Sequence, residues 1–127
     1  GICVGMQILG TESEEGFEKG LGWIDGKVKK IKPNVKTNKL ILPHMGWNNI
    51  QINIKNELIK NIDTNAEFYF LHSYFFDTNK EELNVAYTNY NNLFPAIIND
   101  ENIYGVQFHP EKSHETGELV LKNFANL

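Results

Sequence analysis

The only cysteine of the chain stands in Gly1-Ile2-Cys3-Val4-Gly5, a G-x-C-x-G run that leads into an apolar stretch over residues 4–9. With serine in place of cysteine this pattern is the nucleophile elbow, a sharp turn from strand into helix. Such a turn brings strand and helix backbones together, which predicts that neither Gly1 nor Gly5 has room for a side chain. A thiol at its tip lies near a helix N-terminus, whose N–H groups and dipole favour a thiolate. The Val4 N–H would then face the oxyanion that forms when a carbonyl is attacked. On this motif alone a second reading stays open: a lone cysteine in an apolar stretch is also a small buried hydrophobe.

A second motif lies near the other end of the chain, Gly105-Val106-Gln107-Phe108-His109-Pro110-Glu111. Val106 and Phe108 alternate with Gln107 and His109, so His109 is expected to end a strand. Pro110 disfavours helix at His109. Two more extended residues would bring Glu111 back to the side of His109. A carboxylate beside an imidazole fixes its tautomer and orients it as a base. An exposed strand end reads the same way when taken alone. Together the two motifs make a Cys/His/Glu set suited to nucleophilic catalysis.

Composition narrows the alternatives. At 127 residues the chain is expected to form a single domain spanning 1–127. With 41% hydrophobic and 22% charged residues it is not a disordered polymer. The net charge is −4 and all 12 basic residues are lysines, a poor footing for nucleic-acid binding. One cysteine excludes an internal disulfide and a cysteine-based zinc site. No apolar run approaches the ~20 residues of a membrane span, and no charged leader opens the chain. A cytoplasmic protein without membrane attachment is the expectation. The chain also starts inside a motif and without Met, which we read as a domain incomplete at its N-terminus.

The pattern predicts strands in the middle and helices at both ends. Residues 4–9 read as the first turns of a helix and 10–22 as a loop. Asp25-Gly26, flanked by apolar residues, suggests a hairpin over 23–31. Residues 32–39 read as a surface loop. Ile50, Ile52 and Ile54 alternate with polar residues, as in a half-buried strand over 49–54. A helical turn is expected at 57–62, and strands at 68–71, 83–90, 94–99 and 103–108. A final helix is expected over 113–127, with Ser113 as N-cap.

Two further runs, Pro43-His44-Met45-Gly46-Trp47-Asn48 and Phe70-Leu71-His72-Ser73-Tyr74, complete a set of four in order. Together they resemble the class I, triad-type glutamine amidotransferases. Within these they are similar to the HisH-type glutaminase subunit of imidazole glycerol phosphate synthase. The resemblance implies an α/β, flavodoxin-like three-layer fold, here its C-terminal part, with a mixed sheet and antiparallel strands. It implies Cys3 as nucleophile, His109 as general base and acid, and Glu111 as its orienting carboxylate. Glutamine contacts fall on Gln7, Glu15, Ser73 and Tyr74, and the backbone of Val4 serves the oxyanion. Trp47 and Lys112 fall at an interface with a HisF-type (β/α)8 cyclase subunit, which receives the ammonia in histidine biosynthesis. The resemblance implies a heterodimer, no cofactor and no metal.

It further implies glutaminase activity that stays low until the synthase binds its own ligand. His44 and His72 read as motif or packing residues, and His114 as a surface residue. Half of the family's oxyanion hole comes from sequence upstream of the elbow, so the 127 residues by themselves are expected to be inactive or poorly folded. Two alternatives remain. One is a paralogue supplying ammonia to an enzyme that amidates surface sugars, favoured by Gly20-Leu21-Gly22-Trp23-Ile24-Asp25-Gly26. The other is a non-catalytic scaffold or sensor subunit.

Overall fold

A computed structural model describes residues 1–34 and 39–127. The expected surface loop at 32–39 therefore lies partly outside the described residues. A short helix α1 (Val4–Gln7) follows Cys3, and β1 (Glu12–Ser13) and β2 (Lys27–Lys30) come next. Then follow β3 (His44–Asn49), β4 (Gln51–Ile52), a 3-10 turn (Glu57–Ile59), β5 (Glu67–His72) and β6 (Tyr74–Asp77). After a 3-10 turn (Glu81–Leu83) come β7 (Asn84–Tyr90), β8 (Asn92–Asp100) and β9 (Ile103–Val106). A 3-10 turn (Pro110–Lys112) and helix α2 (His114–Phe124) close the chain.

Among the described residues the strands form three small sheets, ordered β1-β2-β6, β3-β5 and β4-β7-β8-β9. The first is mixed: β1 runs parallel to β2, and β2 antiparallel to β6. The other two are antiparallel throughout. Mixed and antiparallel strands beside helices agree with the expected α/β class. A parallel bridge from Ile2 to Val106 adds the segment before Cys3 to the outer edge of β9. One apolar cluster joins Phe68 and Phe70 of β5 to Val85, Ile97, Phe108 and Val120. A second joins Met6 and Leu9 to Val28, Phe76 and Ile98, and so seats α1 on the sheets.

Several local expectations need correction. Asp25-Gly26 turns no hairpin, because β2 pairs with the distant strands β1 and β6 instead. Gly26 is demanded by crowding: a Cβ there would collide with the Phe76 ring. The isoleucine alternation over 49–54 breaks at Ile50, which is buried, whereas Ile52 and Ile54 are exposed. That stretch is split: Asn49 ends β3, a strand the sequence pattern did not predict, and Gln51–Ile52 form the short β4. β3 pairs along its whole length with β5, from His44 opposite His72 to Asn49 opposite Glu67. Ser113 does not cap α2 with its side chain. Its hydroxyl instead donates to His109 O at 2.6 Å and accepts from Tyr69 N–H at 2.9 Å.

Gly117 lies inside α2, where alanine is ordinarily about 1 kcal/mol better than glycine. Here the sign reverses. A Cβ at Gly117 would overlap the carbonyl oxygen of Pro110, which is backbone and cannot rotate away. Gly117→Ala is expected to destabilise the full-length protein by about 2–3 kcal/mol, as overpacking does. Chemical denaturation checks it, and a gain in stability would show that the turn yields freely.

Candidate active site

Cys3 has φ 51° and ψ −111°, a left-handed region that side chains avoid. Such backbone costs roughly 1–3 kcal/mol and persists only where its neighbours enforce it. Here the enforcement comes from both sides. Cys3 N–H donates to Val106 O at 2.8 Å and Val106 N–H to Gly1 O at 2.9 Å, fixing the incoming segment to β9. Met6 and Gln7 N–H groups donate to Cys3 O at 3.0 and 3.2 Å, starting α1. The sharp strand-to-helix turn expected of the G-x-C-x-G run is thus present. Its steric account holds for one glycine only. A Cβ at Gly1 would strike the carbonyl of Gly5, whereas one at Gly5 would meet nothing among the described residues.

The Cys3 thiol donates to Leu71 O at 3.7 Å and receives the Gln107 amide N–H at 3.7 Å. The thiolate preference expected of the elbow is not met in this state. Burial pushes the thiol above its usual range, and the Glu111 and Glu15 carboxylates add to this. The Val4 N–H and Gln107 act against it. Val4 N–H thus faces the sulfur, where the resemblance puts the oxyanion donor.

His109 follows β9 and is held by its N–H on Tyr69 O at 2.8 Å. Its Nδ1 lies 2.6 Å from Glu111 Oε1. An ionised carboxylate only accepts, so Nδ1 carries the proton and Nε2 is left as the basic nitrogen. The Glu111 carboxyl feels burial upward, but the His109 hydrogen bond and nearby positive charge outweigh it and hold it low. The pairing is as expected, but its cause is not an extended chain. Glu111 sits in the 3-10 turn Pro110–Lys112, with proline in its first turn.

β5 brings the two halves together. Its Tyr69 carbonyl holds His109, and its Leu71 carbonyl receives the Cys3 thiol. Carbonyls two residues apart on a strand point the same way, roughly 7 Å apart. Among the described residues no hydrogen bond joins His109 to Cys3; each is held by a carbonyl of the same strand.

The expected glutamine contacts are placed unevenly. Gln7 and Glu15 line one cavity of ≈ 250 Å³ together with Val4 and Gly16. Glu15 is exposed; Gln7 is not, at 8%. Gln7 Nε2 donates to Tyr74 O at 2.8 Å and to Gln107 Oε1 at 3.1 Å. The carbonyls of Ser73 and Tyr74 are already occupied, by Ile31 N–H and by Gln7 with His72. A larger cavity of ≈ 490 Å³ between Ile52 and Leu127 includes none of these residues.

Trp47 is 44% exposed and stacks on His114 at 5.2 Å between ring centroids, nearly parallel. Tyr69 meets Trp47 edge-on at 6.0 Å, and Lys112 Nζ stands 5.8 Å over the Tyr69 ring. Trp47 and Lys112 thus belong to one exposed aromatic face, which continues to Met45 at 64% exposure.

Sequence reasoning missed two features. Gln107 is fully buried, with its amide on the thiol. His44 and His72 form a buried pair, Nδ1 to Nε2 at 2.9 Å. Burial pushes each imidazole down to about 4. Polar residues interrupting the apolar strands mark these positions in the sequence, but nothing in the strands says which of them meet.

Comparison with known proteins adds the family. Residues 1–126 match the model for glutamine amidotransferase class-I. The chain is 48% identical over its whole length to imidazole glycerol phosphate synthase subunit HisH of Leptospira borgpetersenii, covering 62% of that protein. To subunit HisH 2 of Methanococcus maripaludis it is 47% identical over 98% of the chain and 60% of the relative. The chain thus spans about three fifths of the length of the curated relatives it matches. A solved structure from Thermoplasma acidophilum, described as a candidate GMP synthase subunit, superposes with TM-score 0.72 at 19% identity. It covers 99% of this chain and 54% of that one, and shows the fold. With the strained cysteine turn, the His109–Glu111 pair and the family match over residues 1–126, the chain belongs to the class-I glutamine amidotransferases.

Proposed function

We propose that the protein hydrolyses glutamine to glutamate and ammonia, and that the ammonia passes to a synthase partner making imidazole glycerol phosphate in histidine biosynthesis. The strained backbone of Cys3, held beside β9, whose continuation carries the His109–Glu111 pair, is the observation that carries the reading.

The chemistry follows from the atoms in place. Cys3 Sγ adds to the carboxamide carbon of glutamine while the thiol proton moves to His109 Nε2. Val4 N–H stabilises the oxyanion. The C–N bond then breaks as His109 returns the proton to the departing ammonia, leaving a glutamyl thioester. Water, deprotonated by His109, hydrolyses the thioester and regenerates the thiol. Glu111 keeps the His109 proton on Nδ1 in the resting state. Gln7 and Glu15 line the cavity that would take the amino-acid end of the substrate.

The exposed Trp47, Tyr69, His114 and Lys112 face is the surface we assign to the partner, a (β/α)8 cyclase subunit. Aromatic anchors beside a cation suit such an interface. The soluble, cytoplasmic setting expected of such a subunit is part of the proposal; among the described residues no helix is long and apolar enough to cross a membrane.

Glutamate release by the full-length protein tests this. It is expected to rise at least tenfold when the cyclase subunit of the same organism is added with its nucleotide ligand, and Trp47→Ala is expected to weaken that response. An unchanged rate with a competent cyclase would move the reading to a paralogue serving a sugar-amidating enzyme, or to a non-catalytic subunit.

A further inference from the structure

The amide of Gln107 has a fixed polarity, and a single backbone atom fixes it. The carbonyl oxygen of Tyr74 can only accept. Gln7 reaches it at 2.8 Å, so the Gln7 atom there is the amide nitrogen. That nitrogen also lies 3.1 Å from one terminal atom of Gln107, which must therefore be the oxygen. The Gln107 nitrogen then faces Cys3 Sγ at 3.7 Å, a distance suited to an N–H···S bond. Amide orientations are assigned from such networks rather than seen directly, and here the carbonyl leaves one solution.

The same carbonyl orients a second chain. His72 Nδ1 lies 2.7 Å from Tyr74 O and must carry a proton. Its Nε2 is then the acceptor for His44 Nδ1–H at 2.9 Å. His44 Nε2 in turn accepts from Asn48 Nδ2 at 3.2 Å. The amides and imidazoles in the run from Asn48 to Cys3 thus share one consistent orientation, and Gln107, with no exposed surface, has no water to turn towards.

We propose that Gln107 is a positioning residue for the Cys3 nucleophile, its N–H locked towards the sulfur by Gln7 and the Tyr74 carbonyl. It holds the thiol in one orientation and stabilises the thiolate as it forms, since a sulfur anion accepts more strongly than a thiol. Both amide hydrogens of Gln7 are used in this lock, so any contact of Gln7 with substrate goes through its oxygen. The proposal rests on Cys3 as nucleophile only for its effect on kcat.

The test is the pH dependence of iodoacetamide alkylation of Cys3 in the full-length protein, followed by mass spectrometry on the Cys3 peptide. Gln107→Met keeps the length of the side chain and removes both polar atoms. The midpoint is expected to rise by about one pH unit, with kcat for glutamine about tenfold lower and KM within about twofold. An unmoved midpoint in a variant that melts cooperatively overturns the proposal. If Gln107→Met does not fold, Gln7→Met decides, since it releases the amide of Gln107 without removing it; a rise of about half a unit is expected there, and an unchanged midpoint overturns. Failure of the glutaminase reading is separable: the unaltered protein would then release no Cys3-dependent glutamate, while the alkylation midpoint still reports on Gln107.

Discussion

Cys3→Ala in the full-length protein is expected to reduce glutamine hydrolysis to background, a loss of at least about 10⁴-fold in kcat, with the fold retained. On the proposed mechanism the sulfur forms the thioester, and the backbone that presents it is strained at φ 51°. Alanine keeps that backbone and removes the reacting atom. His109→Ala is expected to cost about 10³-fold or more, because the proposed mechanism passes both deprotonation of the thiol and protonation of the leaving ammonia through it. The two losses should not add, since a base without a nucleophile has nothing to activate. Glu111→Gln should cost less, about 10–100-fold. It removes the charge that holds the His109 proton on Nδ1 but leaves a partner for the ring. Steady-state glutamate release measures all four variants. A double variant much slower than Cys3→Ala would mean that another group in the cavity attacks glutamine.

The cysteine turn and the His109–Glu111 pair were legible in the sequence because their geometry is local. A G-x-C-x-G turn is five residues long, and a histidine two positions before a glutamate across proline needs one turn to make the pair. The supporting polar network was not legible. Gln107 occupies the alternate position to Val106 and Phe108, which a two-residue period assigns to the outer face. It is inside because the segment before Cys3 adds to the edge of β9 and α1 folds over it. His44 and His72 meet only because β3 pairs with β5 in a register that puts them opposite each other across 28 positions of sequence. No pattern within either strand encodes that register. The false hairpin at Asp25-Gly26 has the same origin, a local turn signal overridden by pairing with a distant strand. Glycine is present there to clear the Phe76 ring rather than to reverse the chain.

The buried histidine pair predicts how stability depends on pH. Both rings are neutral in the folded protein, with burial pushing each down to about 4. For His72 the neighbouring His44 and His109 push the same way, against the hydrogen bond to Tyr74 O. Their order of donors, Asn48 to His44 to His72 to Tyr74 O, requires an acceptor nitrogen on each ring. Protonating either ring replaces an acceptor by a donor that faces another donor. In the unfolded chain the same rings titrate near 6.5. The unfolded state therefore binds more protons between about pH 6.5 and 4, and stability falls as pH falls through that window. The loss from pH 7 to 5 is expected to be about 2 kcal/mol for each ring. Glu111, whose carboxyl is held low, contributes in the opposite range, losing its stabilisation only as pH drops below the ordinary carboxylate value. The two contributions thus separate along the pH axis. Urea unfolding of the full-length protein between pH 7 and 5 measures the first. Imidazole nitrogen resonances of His44 and His72 should keep their neutral values at pH 5. Resonances that charge near 6.5, with stability flat over the same range, would mean that the donor chain does not hold the rings neutral.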